Sequence, residues 1–211
     1  MDHDQTARDC ATLGAQTTRG GLGRAIAPIV LSYSPRDLQQ MRRTFSDSIR
    51  DVAPGYRERL VETVSGHLNG TYQAVRRMHE LRNFDHMEEP LAPVAAGYWE
   101  MVAGQCATGS GRQVRARFLK FLLAGFCMFV QGLPGHPVGM PFPGGDRVSL
   151  VDGTYYCPVR QKADGVDSAL CPFCPALQTP EVGYLRPPVK GSEFRKQEFI
   201  RNTYEHHHFN G

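Results

Sequence analysis

One segment of this sequence, GLPGHPVGMPFPGG at residues 132–145, contains four prolines and five glycines. Proline lacks a backbone N–H and has a fixed φ, so a segment this rich in proline forms neither a helix nor a central strand. Flexible linkers are usually polar, whereas this segment also carries Leu133, Val138, Met140 and Phe142. We therefore predict an ordered, extended strap that lies across folded elements.

The residues before the strap, 25–131, carry apolar side chains at helical spacing, which predicts a helical bundle. Ser34 is a good N-cap and Pro35 suits the first turn, so a first helix begins there, and Pro54 ends it. The second half of the last helix is apolar on all sides, which is typical of a helix in the middle of a bundle. Further helices are predicted over about 56–82, 88–102 and 112–131.

The N-terminal residues, 1–24, are rich in Thr, Gly, Arg and Asp and show no apolar periodicity. We predict a mobile tail there. Within it, RGGLGR at residues 19–24 is similar to a glycine-rich phosphate loop. It lacks the lysine of a P-loop and the apolar strand that precedes a dinucleotide-binding turn, so we do not predict a phosphate site.

The charge of the chain is mildly basic, with a net charge of +3 and a sequence pI of about 8.6. Nucleic-acid-binding domains have a larger excess, so we do not expect a nucleic-acid partner. No apolar run approaches the roughly 18 residues of a membrane span, and the polar N-terminus MDHDQTARDC has no signal-peptide core. We therefore predict a cytoplasmic protein without a membrane partner, in a reducing compartment where thiols bind metals more often than they form disulfides.

Residues 132–190 combine the strap with a β-hairpin and a cysteine-bearing turn. Asp152-Gly153 lies between two β-prone runs, which is a strong hairpin signal, and the second strand leads to Cys157. Beyond them, residues 191–211 begin with a plausible N-cap, which predicts a C-terminal helix followed by a tail. The predicted fold class is mainly α: a helical bundle with a Pro/Gly-rich strap, one β-hairpin and a cysteine-bearing turn near the C-terminus.

Half of the six cysteines lie in the stretch YYCPVRQKADGVDSALCPFCPALQ. Two cysteines separated by two residues can bind one metal ion from a single turn, and a third from the hairpin can reach the same ion. We therefore predict that Cys157, Cys171 and Cys174 ligate an iron–sulfur cluster or zinc. Four ligands are normal for either, and His136 or Cys127 would complete the set. The alternative is no metal, with the cysteines paired as a dithiol or packed in a core.

The residue after the last of these cysteines, Pro175, argues against a standard metal-binding knuckle. That turn ordinarily has glycine at this position, where the backbone takes a positive φ, and proline cannot adopt it. We predict instead that PALQ at 175–178 forms a short helix with Cys174 as its N-cap.

Three segments in order, HPVGMPFPGG, YYCPVR and ALCPFCPALQ, resemble an uncharacterised protein family of methanogenic archaea, a domain of unknown function. The resemblance covers roughly residues 35–190. It implies a cytoplasmic, largely helical archaeal protein with no assigned reaction. Methanogens are anaerobes, in which oxygen-sensitive clusters are tolerated.

The sequence leaves the question of catalysis open and predicts no catalytic residue. The first hypothesis is a metal-binding accessory or regulatory protein of anaerobic metabolism, acting on a protein partner. The second is a metal-dependent enzyme with a small-molecule pocket at the strap, where the metal acts as Lewis acid. The third is a nucleic-acid-binding module, in which the helix carrying Arg112, Arg115, Arg117 and Lys120 presents a basic patch.

Overall fold

A computed structural model describes residues 3–142, 145–161 and 170–180 of the chain. It confirms the predicted class, because the described residues are mainly helical with a small sheet near the C-terminus. We call residues 3–131 the helical body. The α-helices are α1 (His3–Gly14), α2 (Arg19–Leu31), α3 (Pro35–Ser48), α4 (Pro54–Glu80), α5 (Val94–Cys106) and α6 (Gly111–Gly125).

The predicted mobile tail over residues 1–24 is wrong for the part that the structure describes, because α1 and the start of α2 occupy it. Thr18 caps α2 by accepting a hydrogen bond from the Gly21 N–H at 3.1 Å. Gly20 and Gly23 of this segment allow α2 to pack closely against Phe84. A Cβ on Gly20 would lie 2.1 Å from the Phe84 carbonyl oxygen, and one on Gly23 would lie 2.5 Å from the Phe84 ring.

The centre of the helical body is aromatic. Tyr98 and Trp99 of α5 are almost fully buried and stack edge-to-face with a centroid distance of 5.0 Å. Tyr98 donates its hydroxyl proton to the Phe121 carbonyl at 2.6 Å. Trp99 packs on Gly125, where an added Cβ would come within 2.9 Å of the indole ring. The body therefore depends on tight aromatic packing, in which added volume is poorly tolerated.

The predicted start of α3 is confirmed. Ser34 and Asp37 form a capping box, and Pro35 occupies the first turn. Asp37 also receives a hydrogen bond at 3.1 Å from Arg115 of α6, whose guanidinium lies 4.1 Å above the Tyr33 ring. This contact joins the start of α3 to α6.

The last helix of the body changes its winding before it ends. It begins at a capping box made by Ser110 and Gln113, and α6 then continues as a π-helix over Phe126–Gln131. Gly132 ends it with a left-handed φ of 69°. Arg19 donates two hydrogen bonds to the Val130 carbonyl, at 2.6 Å and 3.0 Å. The prediction placed a helix over 112–131 but gave no sign of the π-helix.

The residues after the helical body form what we call the strap-and-sheet region: 132–142, 145–161 and 170–180. The predicted hairpin is confirmed by β1 (Ser149–Val151) and β2 (Thr154–Cys157), joined by Asp152 and Gly153 with positive φ. A third strand, β3 (Leu177–Gln178), pairs in parallel with β2. The sequence did not predict this strand.

The strap is ordered where it is described. The Gly139 N–H donates to the Val148 carbonyl at 2.8 Å, and the Val148 N–H donates to the Met140 carbonyl at 3.2 Å. Tyr56 of α4 donates its hydroxyl proton to the Pro141 carbonyl at 2.9 Å. Hydrogen bonds therefore fix the strap both to the residues just before β1 and to α4.

Two further predictions concern the C-terminal part of the chain. The helix predicted over PALQ is wrong, because Cys174 has extended backbone angles and β3 follows it. A short 3-10 helix, Cys171–Phe173, lies directly before Cys174. The C-terminal helix and tail predicted over 191–211 lie outside the described residues.

None of the helices in the described part of the chain has the length and hydropathy needed to span a membrane.

Candidate functional site

Cys157, Cys171 and Cys174, which we call the three-thiol group, meet at the small sheet. Cys157 is the last residue of β2 and is buried. Its backbone pairs with Gln178 of β3, and its carbonyl accepts the Thr179 N–H at 3.2 Å. Cys171 and Cys174 lie just before β3, so this pairing returns them to the end of β2.

The pKa values of Cys157 and Cys171 are raised, and neighbouring thiols contribute to both shifts. Burial, with smaller contributions from Cys157 and Cys174, raises the pKa of Cys171 to about 11. Burial likewise raises the pKa of Cys157, with a smaller contribution from Cys174. An electrostatic contribution from one thiol to another requires that they lie near each other. All three are free thiols.

Backbone N–H groups lie beside two of the thiols. The Gly135 N–H of the strap donates to Cys174 Sγ at 3.4 Å. The Arg160 N–H donates to the Cys157 carbonyl at 3.4 Å, and the backbone of Val159 and Arg160 lowers the pKa of the Cys157 thiol, although burial outweighs it. N–H groups aimed at sulfur stabilise a thiolate, because they place positive partial charge beside it.

The three-thiol group is not a preformed metal cage. Within residues 3–142, 145–161 and 170–180, no three His, Cys, Asp or Glu side chains are arranged to hold a metal ion. Of the two predicted completing ligands, Cys127 contacts side chains of α4. His136 directly follows Gly135, whose N–H donates to Cys174 Sγ, and its ring packs edge-to-face on Phe142.

Those residues form a second group, which we call the polar recess. Cys127 Sγ lies 3.2 Å from Thr71 Oγ1, 3.7 Å from His67 Nε2 and 3.7 Å from Gln131 Oε1. The Thr71 hydroxyl proton is donated to the His67 carbonyl at 2.9 Å. Thr71 Oγ1 is therefore free to accept the Cys127 thiol proton. The members of the polar recess are His67, Thr71, Lys120, Cys127, Gln131 and His136.

The titratable groups of the polar recess are held in their neutral forms or pushed towards them. Burial raises the pKa of the Cys127 thiol to about 11. Burial, with the nearby Lys120 and His67, lowers the pKa of His136 to about 4. Burial also lowers the pKa values of His67 and Lys120. At neutral pH the Cys127 thiol therefore keeps its proton, and the imidazoles of His67 and His136 are neutral.

Sequence reasoning missed the recess as a group, although it named Cys127 and His136. The signal is present in the helical spacing. Lys120, Cys127 and Gln131 are seven and four residues apart, which places polar side chains on one face of an otherwise apolar helix. His67 and Thr71 are four apart on α4 and so share a face.

The described geometry defines a class: a helical protein whose strap links a partly buried polar recess to a cysteine-bearing sheet. Residues 18–179 match the model of a family described as uncharacterized protein conserved in archaea (DUF2115). The chain belongs to this family.

Relatives from methanogens extend the match. The chain is 28% identical over 145 residues to a UPF0305 protein of Methanopyrus kandleri, which covers 67% of this chain and 98% of that protein. It is 24% identical over 145 residues to a UPF0305 protein of Methanocaldococcus jannaschii, covering 68% and 85% respectively. A segment of 52 residues is 50% identical to a UPF0305 protein of Methanothermobacter thermautotrophicus, covering 25% of this chain and 34% of that protein. No solved structure matches the chain.

Proposed function

We propose that the three-thiol group binds one thiophilic metal ion and that the protein is a metal-binding accessory protein of anaerobic metabolism. The observation that carries this proposal is the pairing of β2 with β3, which brings Cys171 and Cys174 back to the strand that ends in Cys157. Cys174 packs against the apolar cluster that contains Cys157, and the Gly135 N–H donates to its sulfur. Zinc and the iron of iron–sulfur centres are the metals that thiolates favour.

The protonation of the thiols makes the proposed binding dependent on pH. The raised pKa of Cys171, about 11, means that the thiol keeps its proton at neutral pH. A metal ion must displace that proton, because the thiolate is the ligand. We therefore expect apparent metal affinity to rise with pH between 6 and 8. The cation also compensates the charge of the buried thiolates, which otherwise repel one another.

Metal binding requires a rearrangement, since the thiols are not arranged as a metal cage. Cys174 is the sulfur best placed to move, because it is only half-buried and its backbone is extended after the 3-10 helix. We leave Cys127 and His136 out of the proposed ligand set, since both belong to the polar recess. Three thiolates leave one coordination position for solvent or for a ligand of a partner protein.

The proposal is tested with the full chain, reduced and freed of metal under anaerobic conditions. Titration with Co²⁺, a spectroscopic substitute for zinc, is expected to give a sulfur-to-cobalt charge-transfer band that saturates at one ion per chain. Cys171→Ser should abolish the saturable band. Cys106→Ser is the matched control, because Cys106 is a buried thiol of the helical body and lies in its separate core.

Two results would overturn the proposal: no stoichiometric cobalt binding, or a band of equal intensity in Cys171→Ser. Metal analysis after anaerobic purification then distinguishes zinc from iron. Visible absorption that is lost on exposure to air would identify an iron–sulfur cluster.

A further inference from the structure

We infer that a pocket between α3 and α4 binds a short apolar peptide with free amino and carboxyl ends. The pocket has a volume of about 440 Å³, and sites for small molecules usually measure about 300–1,000 Å³. The inference is independent of the proposed metal site, since no residue of the three-thiol group lines the pocket.

The pocket lies where two apolar clusters of the described residues meet. Leu38 of α3 and Leu68 of α4 pack against the core of the helical body. Phe45 of α3 and Val64 of α4 pack instead against the smaller cluster, which contains residues of the strap and of the sheet. All four side chains line the pocket and are only half-buried. The gap between the two clusters therefore leaves apolar surface that a ligand can cover.

The rim of the pocket carries one charge of each sign. Arg42 on α3 and Glu62 on α4 both line the pocket, and both are exposed. The ion pairs found in the described part of the chain include neither of them, so the two groups do not neutralise each other by direct contact. A ligand that has both a carboxylate and an ammonium group can form a charge-assisted hydrogen bond with each.

Neutral polar side chains complete the lining. Gln39 of α3 and Asn69 of α4 carry exposed amides, and an amide can donate and accept hydrogen bonds, as a peptide bond requires. Ser65 also lines the pocket, and its Oγ is buried without a hydrogen-bond partner among the described residues. A buried hydroxyl without a partner is unfavourable. The half-buried side chains around it can shift to let a polar group of the ligand reach it.

These features together select a peptide over other small ligands. The apolar walls suit apolar side chains, the amides suit a peptide bond, and the two unpaired charges suit the two free ends. A purely anionic ligand would be repelled by Glu62, and a purely cationic one would be repelled by Arg42. The volume of the pocket limits the peptide to a few residues.

The experiment uses the reduced, metal-free full chain and the dipeptide leucyl-phenylalanine. Isothermal calorimetry is expected to show saturable binding of one dipeptide per chain. Two modified dipeptides report on the charges, because acetylation of the amino end removes the ammonium and amidation of the carboxyl end removes the carboxylate. Each modification should weaken binding about tenfold, since each removes a hydrogen bond to a charged group.

Variants assign each end of the dipeptide to its partner. Arg42→Gln should bind the dipeptide and its amidated form with equal affinity. Glu62→Gln should bind the dipeptide and its acetylated form with equal affinity. Arg43→Gln is the matched control, because Arg43 is the adjacent exposed cation of α3 and does not line the pocket. This control should keep the preference of the parent protein for free ends.

Thermal unfolding distinguishes lost binding from a folding defect. Arg42 and Glu62 are exposed, so their variants should have the Tm of the parent protein when no peptide is added. The dipeptide should raise the Tm of the parent and of Arg43→Gln by more than that of Arg42→Gln.

Three results would overturn the inference. The first is the absence of saturable dipeptide binding. The second is an equal affinity for the free dipeptide and for one blocked at both ends, which would show a general apolar groove. The third is an equal loss of affinity in Arg42→Gln and Arg43→Gln, which would show a general effect of charge.

Discussion

The helical body and the strap-and-sheet region are held together by different means. The body buries a large continuous core that includes Trp99, Tyr98 and Phe118. The strap-and-sheet region contributes a smaller cluster that packs on α3 and α4. Its sheet leaves Leu150, Val151 and Leu177 exposed, so its apolar packing is thin.

This difference explains where the chemistry-bearing side chains lie. A region with little apolar core depends more on specific contacts such as hydrogen bonds, sulfur contacts and metals. The three-thiol group lies in that region, and the polar recess lies where the strap meets the body. The body supplies a rigid frame, and the thinner region supplies groups whose positions a ligand can change.

The largest expected effect is on the body. Gly23→Ala places a Cβ within 2.5 Å of the Phe84 ring, so α2 must move away. We expect a loss of about 3 kcal/mol in the free energy of unfolding, measured by urea denaturation. Gly66→Ala on α4 is the control, because its added Cβ meets no atom within 4 Å; it should stabilise by about 0.5–1 kcal/mol through helix propensity. Equal effects of the two substitutions would contradict this account of the body.

An intermediate effect is expected from acid. The hydrogen bond from Arg115 is the main reason that the pKa of Asp37 is lowered to about 2. A carboxyl group with a lowered pKa stabilises the fold above its unfolded-state pKa of about 4, and this contribution is lost as the pH falls towards 2. Because the pair is partly exposed to solvent, we expect a loss of about 1 kcal/mol.

The sole tryptophan, Trp99, reports this change in the body by its fluorescence. Denaturation of the parent protein at pH 5 and pH 2.5 is compared with that of Asp37→Asn, in which this part of the acid dependence should be absent. An identical acid dependence in the two proteins would refute the role of the Arg115–Asp37 pair.

The most local effect comes from one chemical change, Tyr to Phe, made once in each region. Tyr56→Phe removes the hydrogen bond to the Pro141 carbonyl, at a cost of about 1 kcal/mol. Since this bond joins the strap to α4, the Gly139 and Val148 amides should exchange about fivefold faster, while the Trp99 transition stays unchanged. Tyr72→Phe removes a bond of equal length within the body, to the Tyr33 carbonyl, and should shift that transition instead. If both variants alter both probes alike, the two regions unfold as one.

The sequence predicted those elements whose signals are local. Ser34 with Pro35 and Asp37 marks a helix start, and Asp152-Gly153 marks a hairpin, because the backbone angles needed there favour these residues.

Features set by distant contacts were missed. Gly20 and Gly23 suggested flexibility because glycine serves both mobile loops and close helix packing, and only the position of Phe84 distinguishes these uses. The short strand β3 depends on pairing with β2, and its own sequence carries little signal. The contacts of Cys127 with His67 and Thr71 of α4 were not predicted either, because they join residues about 60 positions apart.

The bond from Arg19 to the Val130 carbonyl has a consequence for how the protein is made. Its two residues are 111 positions apart, and ribosomes build chains from the N-terminus. The first two helices are therefore complete long before Phe84, Trp99 and the π-helix exist to cover them. During that interval the glycine-lined face of α2 has no packing partner, so the nascent chain must be protected from aggregation until the central part of the protein has emerged.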